Sequence, residues 1–156
     1  MKNTKSRNGF TLIELIIVMV ILGIMAAVAV PRYLDSISNA EEAAEDAVIS
    51  AIKSGLTQYA NNSLYENGRA EWPTNPFDAL AEKPVGYSTD GTWADEDGEW
   101  TFLIATQGQT QSLIGRITHQ RADNSRYSWS YFSGTHGIDD ADNAKIGYLN
   151  DREGPF

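Results

Sequence analysis

The sequence predicts an α+β protein: one long N-terminal α-helix, membrane-spanning in its first half and amphipathic in its second, packed on a small antiparallel β-sheet. Three observations carry this. The run from Phe10 to Val30 is strongly apolar, with Glu14 as its one charge. Beyond Pro31, small and apolar residues recur at steps of three or four as far as Tyr59. After Gly98 come three short runs rich in aromatic and β-branched residues, with turn-forming residues between them. Helix first and meander second is the order of segregated layers, and 156 residues suffice for one modest body.

The first element reads FTLIELIIVMVILGIMAAVAV. At about 1.5 Å of rise per residue it is on the order of 32 Å long as a helix, close to the thickness of a bilayer core. Lys2, Lys5 and Arg7 precede it, and the formal charge of the whole chain is −9. The first nine residues hold those three cations and no acid, so the remainder carries −12, that is, −9 less three. Basic residues before the span and an acidic region after it keep the N-terminus in the cytoplasm and export the body. A secretory signal peptide is an alternative, with Ala27-Val28-Ala29 as its small-x-small site. Its apolar core, however, runs to only about 7–15 residues. A simple membrane anchor is another alternative, and it leaves Glu14 unexplained. A carboxylate inside a span costs about 2.5–3.5 kcal/mol on insertion scales and less near the interface. Glu14 sits close to the cytoplasmic end, where a cation at the same depth on another copy of the chain is its natural partner.

Arg7-Asn8-Gly9-Phe10-Thr11-Leu12-Ile13-Glu14-Leu15 resembles the leader and cleavage site of type IV prepilins, and the resemblance extends from about Lys5 to Tyr33 through Gly23 and Pro31. It implies that a dedicated prepilin peptidase cuts between Gly9 and Phe10 and methylates the new N-terminal Phe10. It also implies that Phe10 and Glu14 of neighbouring subunits pair during assembly. The expected division is then 1–9 as leader peptide, 10–31 as membrane and polymerisation helix, and 32–156 as a pilin body outside the cytoplasm. Gly23 weakens a helix entropically, and Pro31 cannot donate to the carbonyl of Ala27. The plain expectation is a mild kink; in filaments of the family this stretch can unwind.

Beyond Pro31 the helix is expected to continue, with Leu34, Ile37, Ala40, Ala44, Ala47, Val48, Ala51, Gly55, Leu56 and Tyr59 on its apolar face. Glu41, Glu42, Glu45 and Asp46 read as a solvated face, with contact to a neighbouring subunit's Lys or Arg as the sharper alternative. The helix is expected to fade near Asn61-Asn62, with Gly68 as a late stop. Residues 61–98 are punctuated by Gly and Pro and read as a long connection pinned by Trp72, Phe77, Tyr87 and Trp93.

The strands expected next are Glu99–Ala105, Ser112–Thr118 and Arg126–Phe132, joined by Gln107-Gly108-Gln109 and Arg121-Ala122-Asp123-Asn124 turns. Tyr127, Trp129 and Tyr131 alternate onto one face, as do Trp100 and Phe102 with a small offset in register. A sheet face packed on the helix explains these aromatics more simply than sugar binding or electron transfer. A last short strand is expected at Lys145–Leu149. Many pilins close a C-terminal loop with a disulfide, but this chain has no cysteine. Its tail must be held by packing, hydrogen bonds or a metal ion, or stay mobile.

No cysteine means no thiolate zinc site and no cysteine nucleophile. The acidic body lacks the clustered cations of general nucleic-acid binding. Asp95-Glu96-Asp97-Gly98 and Asp139-Asp140-Ala141-Asp142-Asn143 are acidic loops. Neither has EF-hand spacing. Some secretion pseudopilins resembling this chain bind calcium in C-terminal loops, which makes Asp95, Asp97, Asp139, Asp140 and Asp142 calcium candidates; no other cofactor is expected. His119 and His136 lack zinc-site spacing, and no nucleophile elbow or phosphate-cradling glycine motif occurs. The expected function is structural, not enzymatic. The chain reads as a type IV pilus subunit whose partners are copies of itself, the prepilin peptidase, the assembly machinery and the inner membrane before assembly. Attachment, twitching motility or DNA uptake would be properties of the filament. The alternatives are a type II secretion pseudopilin in the periplasm and a membrane-anchored carbohydrate-binding module using Trp93, Trp100 or Trp129.

Overall fold

The computed structural model describes residues 9–105, 113–133 and 147–156. The basic leader, the Gln107–Gln109 turn, His136 and the calcium candidates Asp139, Asp140 and Asp142 lie outside them. The chain divides into two compact units, one ending at Ala43 and the other Ala44–Phe156.

Helix α1 is Leu12–Asn67. Its N-terminal part is long and apolar enough to cross a membrane, and its large side chains from Leu12 to Leu34 are exposed. Pro31 lies inside the helix, which is continuous past both Gly23 and Pro31 in this single chain. The expected fading at Asn61-Asn62 does not occur. Gly68 ends the helix instead, at φ +72 with its N–H on the carbonyl of Leu64 at 3.0 Å. That is the left-handed C-terminal cap glycine favours.

In the second unit the buried residues of α1 are Glu45, Ile49, Ile52, Leu56, Ala60 and Ser63. This corrects the expected apolar face. Ala44, Ala47 and Ala51 are exposed, as is Ala40 in the first unit. Alanine removes little area from water, so the larger Ile49, Ile52 and Leu56 set which side is buried.

A single 3-10 turn, Pro76–Ala79, punctuates the connection, with the Asn75 side chain accepting from the Phe77 N–H and Pro76 in the first turn. Four strands follow, β1 (Trp100–Ala105), β2 (Leu113–Gln120), β3 (Arg126–Ser133) and β4 (Tyr148–Leu149). They form one antiparallel sheet in the order β1-β2-β3-β4. The register aligns Phe102, Ile117 and Trp129, and next to them Trp100, His119 and Tyr127, across three strands. The β2–β3 turn bonds Asn124 N–H to Arg121 O and Arg121 N–H to Ser125 O, each at 2.9 Å. Asn124 takes φ 63, a conformation Asn tolerates better than most side chains.

One sheet face builds the core. Ile49, Ile52 and Leu56 cluster with Phe77, Trp100, Phe102, Ile117, Trp129, Tyr131 and Leu149. Trp100 stacks on both Trp129 and His119, with ring centroids 5.7 and 4.3 Å apart. Tyr131 donates to Pro73 O at 2.8 Å, and burial pushes its phenol above the ordinary range. The other face is polar and buried at its centre. Thr101 and Thr118 are fully buried and share a 2.6 Å hydrogen bond. Thr101 donates to Thr92 O, and Thr118 accepts the Ala94 N–H. Their hydroxyls therefore tie the residue 92–94 segment to the sheet.

The tail is held without a disulfide. Gly147 N–H donates to Phe132 O, Asn150 N–H to Ser130 O and Phe156 N–H to Arg126 O. Ser128 and Glu153 exchange both backbone bonds at 2.9 Å. The segment from Gly147 thus follows β3 along its outer edge, well beyond the two residues assigned to β4.

Candidate assembly site

Thr11 precedes the first helical residue and its carbonyl accepts the Leu15 N–H at 3.3 Å, so it is the N-cap of α1. Three residues on, the Glu14 carboxylate turns back. Oε2 accepts the Thr11 N–H at 2.8 Å and the Thr11 hydroxyl at 2.7 Å, with Glu14 N–H 3.4 Å from Thr11 Oγ1. This is a Thr-x-x-Glu capping box. Phe10 is almost fully exposed beside it, and Gly9 has open space around its Cα. The four residues Gly9, Phe10, Thr11 and Glu14 therefore occupy one helix end. A peptide cut before Phe10 would free an ammonium one residue from the cap, at the positive end of the helix dipole and near the Glu14 carboxylate. Thr11 is the member that sequence reasoning passed over as a positioning group, although its spacing to Glu14 spells the capping motif.

Gly23 and Pro31 lie far along α1 from this end and take no part in its hydrogen bonding; a Cβ at Gly23 would point into open space.

The acid row of α1 divides. Asp46 is exposed, whereas Glu45 is completely buried, which corrects the solvated reading of that residue. Arg121 clasps its carboxylate with two bonds, Nε to Oε1 at 2.7 Å and Nη2 to Oε2 at 2.6 Å. His119 Nδ1 lies 2.9 Å from Oε1 and donates, since an ionised carboxylate only accepts. Arg152 Nε stands 3.3 Å from Oε2, and its Nη2 bonds Asp46 Oδ1. Burial pushes the Glu45 carboxyl up, but hydrogen bonds from Arg121 and His119 and the positive charges around it outweigh burial and hold it below its ordinary value. The Arg121 guanidinium lies over the Tyr127 ring at 4.0 Å.

Asp95 and Asp97 line an open cleft of about 380 Å³ together with Asp90, Glu96 and Glu99. Its carboxylates are partly used by the loop itself, Glu99 accepting the Asp95 and Glu96 N–H groups and Asp90 the Thr92 N–H. Among the described residues no three His, Asp or Glu side chains are placed to hold a metal ion. The aromatic glycan platform fails in part. Trp100 and Trp129 are 4% and 2% exposed in the core, and only Trp93 remains open, against Phe156 and Arg116.

A family model described as a prokaryotic N-terminal methylation motif matches residues 4–30. The chain is 39% identical over 116 residues to a type IV narrow pilus major component, PilA5, of Thermus thermophilus, covering 68% of this chain and 93% of that protein. It is 42% identical over 134 residues to a fimbrial protein of Neisseria meningitidis, covering 82% and 73%. It is also 34% identical over 95 residues to a type II secretion system core protein G of Pseudomonas aeruginosa, covering 60% and 63%. No solved structure matches significantly.

Proposed function

Since the chain belongs to the type IV pilin family, we propose that it is a type IV pilus subunit, cut between Gly9 and Phe10 and assembled through its N-terminal helix. The observation that carries this is the helix end itself: an exposed apolar span headed by Phe10, with the Glu14 carboxylate held at its first turn by Thr11. Cleavage supplies the cation that a carboxylate at membrane depth lacks. As helices leave lipid and bundle, the Phe10 ammonium of one subunit meets Glu14 of the next and sets the stagger between them. Thr11 releases or shares the carboxylate at that moment. The apolar helix holds the precursor in the inner membrane, and the basic leader keeps its N-terminus in the cytoplasm until the prepilin peptidase acts.

The secretion pseudopilin reading draws support from the core protein G relative. The pilus reading is favoured because the resemblance to PilA5 takes in nearly the whole of that protein. Shearing cells and identifying the protein in long surface fibres tests it. Absence from such fibres, together with lost export of folded proteins on deletion, would replace it with the pseudopilin role. Mass spectrometry of the assembled subunit is expected to show residues 1–9 removed and Phe10 methylated.

A further inference from the structure

The tail Gly147–Phe156 is attached unlike the rest of the second unit. Its backbone is bonded to the β3 edge at Phe132, Ser130, Ser128 and Arg126. Its apolar anchoring is thin: Leu149 is buried, but Tyr148 and Phe156 are exposed. Phe156 makes only an edge contact with the half-open Trp93 ring, centroids 6.1 Å apart. The side-chain tie to α1 is electrostatic. Arg152 reaches across to α1, where it meets buried Glu45 and exposed Asp46. A second, looser ion contact joins Glu153 to Arg116 at 3.7 Å.

We propose that this tail is a releasable strap, latched to α1 by Arg152 and opening as a unit, ahead of the core, when the Glu45–Asp46 charges are neutralised or screened. The groups facing Glu45 are His119 on β2, Arg121 in the turn, Arg152 on the tail and Asp46 beside it on the helix, with the Tyr127 ring of β3 under both guanidiniums. Neutralising Glu45 leaves three nitrogen-bearing groups around one uncharged acid. Arg121 stays within the turn, 4.0 Å over the Tyr127 ring, whereas Arg152 lies farther off, 5.8 and 6.0 Å from the Tyr127 and Trp129 rings, and belongs to a segment with little buried apolar area. Segments with few buried apolar contacts open locally before the fold as a whole. Opening would bare the outer edge of β3 along the stretch the tail now covers. An ion latch thus takes the place of a covalent closure in a chain without cysteine, and it makes closure sensitive to salt and acid.

Amide hydrogen exchange on the full-length chain in detergent micelles tests the strap. In Arg152→Gln the amides of Asn150, Glu153 and Phe156 are expected to exchange roughly ten-fold faster or more, while Thr101 and Ile117 keep their protection. The Ser128 amide is diagnostic: it lies on β3 but donates to Glu153, so it should follow the tail. Asp46→Asn, at an exposed position, should give the same pattern more weakly, as should raising salt on the unmodified protein. Should Arg152→Gln destabilise the whole body, Asp46→Asn and salt still decide the matter. Tail and core amides accelerating together under these milder changes, or tail amides not responding, would overturn the proposal.

Discussion

Glu14 and Glu45 are both acids on one helix, and their surroundings give them opposite duties. Glu14 is exposed at the helix end and, among the described residues, bonds to Thr11 of its own chain, so its carboxylate can change partners. Once the filament dries around it, an unpaired charge there is costly, by about 3–5 kcal/mol when one member of a buried pair is removed. Glu14→Ala is therefore expected to leave the precursor in the membrane but out of filaments, which the ratio of protein in sheared and membrane fractions will read. Normal filament numbers would refute the pairing. Glu45 is saturated by Arg121, His119 and Arg152 and cannot be exchanged without loss. Glu45→Ala should lower unfolding stability by about 3–5 kcal/mol, because Arg121 is left buried and unbalanced. Urea unfolding followed by tryptophan fluorescence would report it, as Trp100 stacks on His119 next to the cluster.

Among the elements, β2 carries a glycine for a packing reason. A Cβ at Gly115 would lie 2.0 Å from Cζ of the Phe102 ring on β1. Gly115→Val is expected to push that ring out of the core at a cost of about 1–3 kcal/mol, measurable as a lowered denaturation midpoint. For α1 the matter turns on Gly23 and Pro31. The single chain keeps a continuous helix through both. The bundled filament is expected to open it there, since Pro31 already lacks one backbone bond. An unbroken helix across residues 23–31 in a filament reconstruction would decide against unwinding. The first three strands were legible from alternation to within a residue or two, and so was the aromatic face. The acid row was not: the partners of Glu45 lie 74 and 76 positions along the chain, beyond any local pattern.

For the whole molecule, the lowered carboxyl of Glu45 makes stability depend on pH with a definite sign. An acid depressed on folding contributes fully above its unfolded value, 4.5 for this group, and its contribution is lost as pH falls through the lower folded value. Acid titration of unfolding free energy is therefore expected to fall away below about pH 4.5, and Glu45→Gln should lack that part of the loss. A pH profile unchanged by the substitution would place the acid sensitivity elsewhere.

The sequence by itself determined that one helix is long and apolar enough to cross a membrane, and it carries the charge order and the N-terminal motif from which orientation and cleavage are proposed. These depend on composition, charge order and residues within one turn, all of which are one-dimensional. Only the tertiary structure decided which side of α1 faces the sheet, that Glu45 is buried, and that Arg152 ties the tail to the helix. Alanines are nearly indifferent to burial, and the environment of a carboxylate is set by partners that folding alone brings to it. The same helix therefore carries both a legible N-terminal motif and a buried anchor that no local pattern announces.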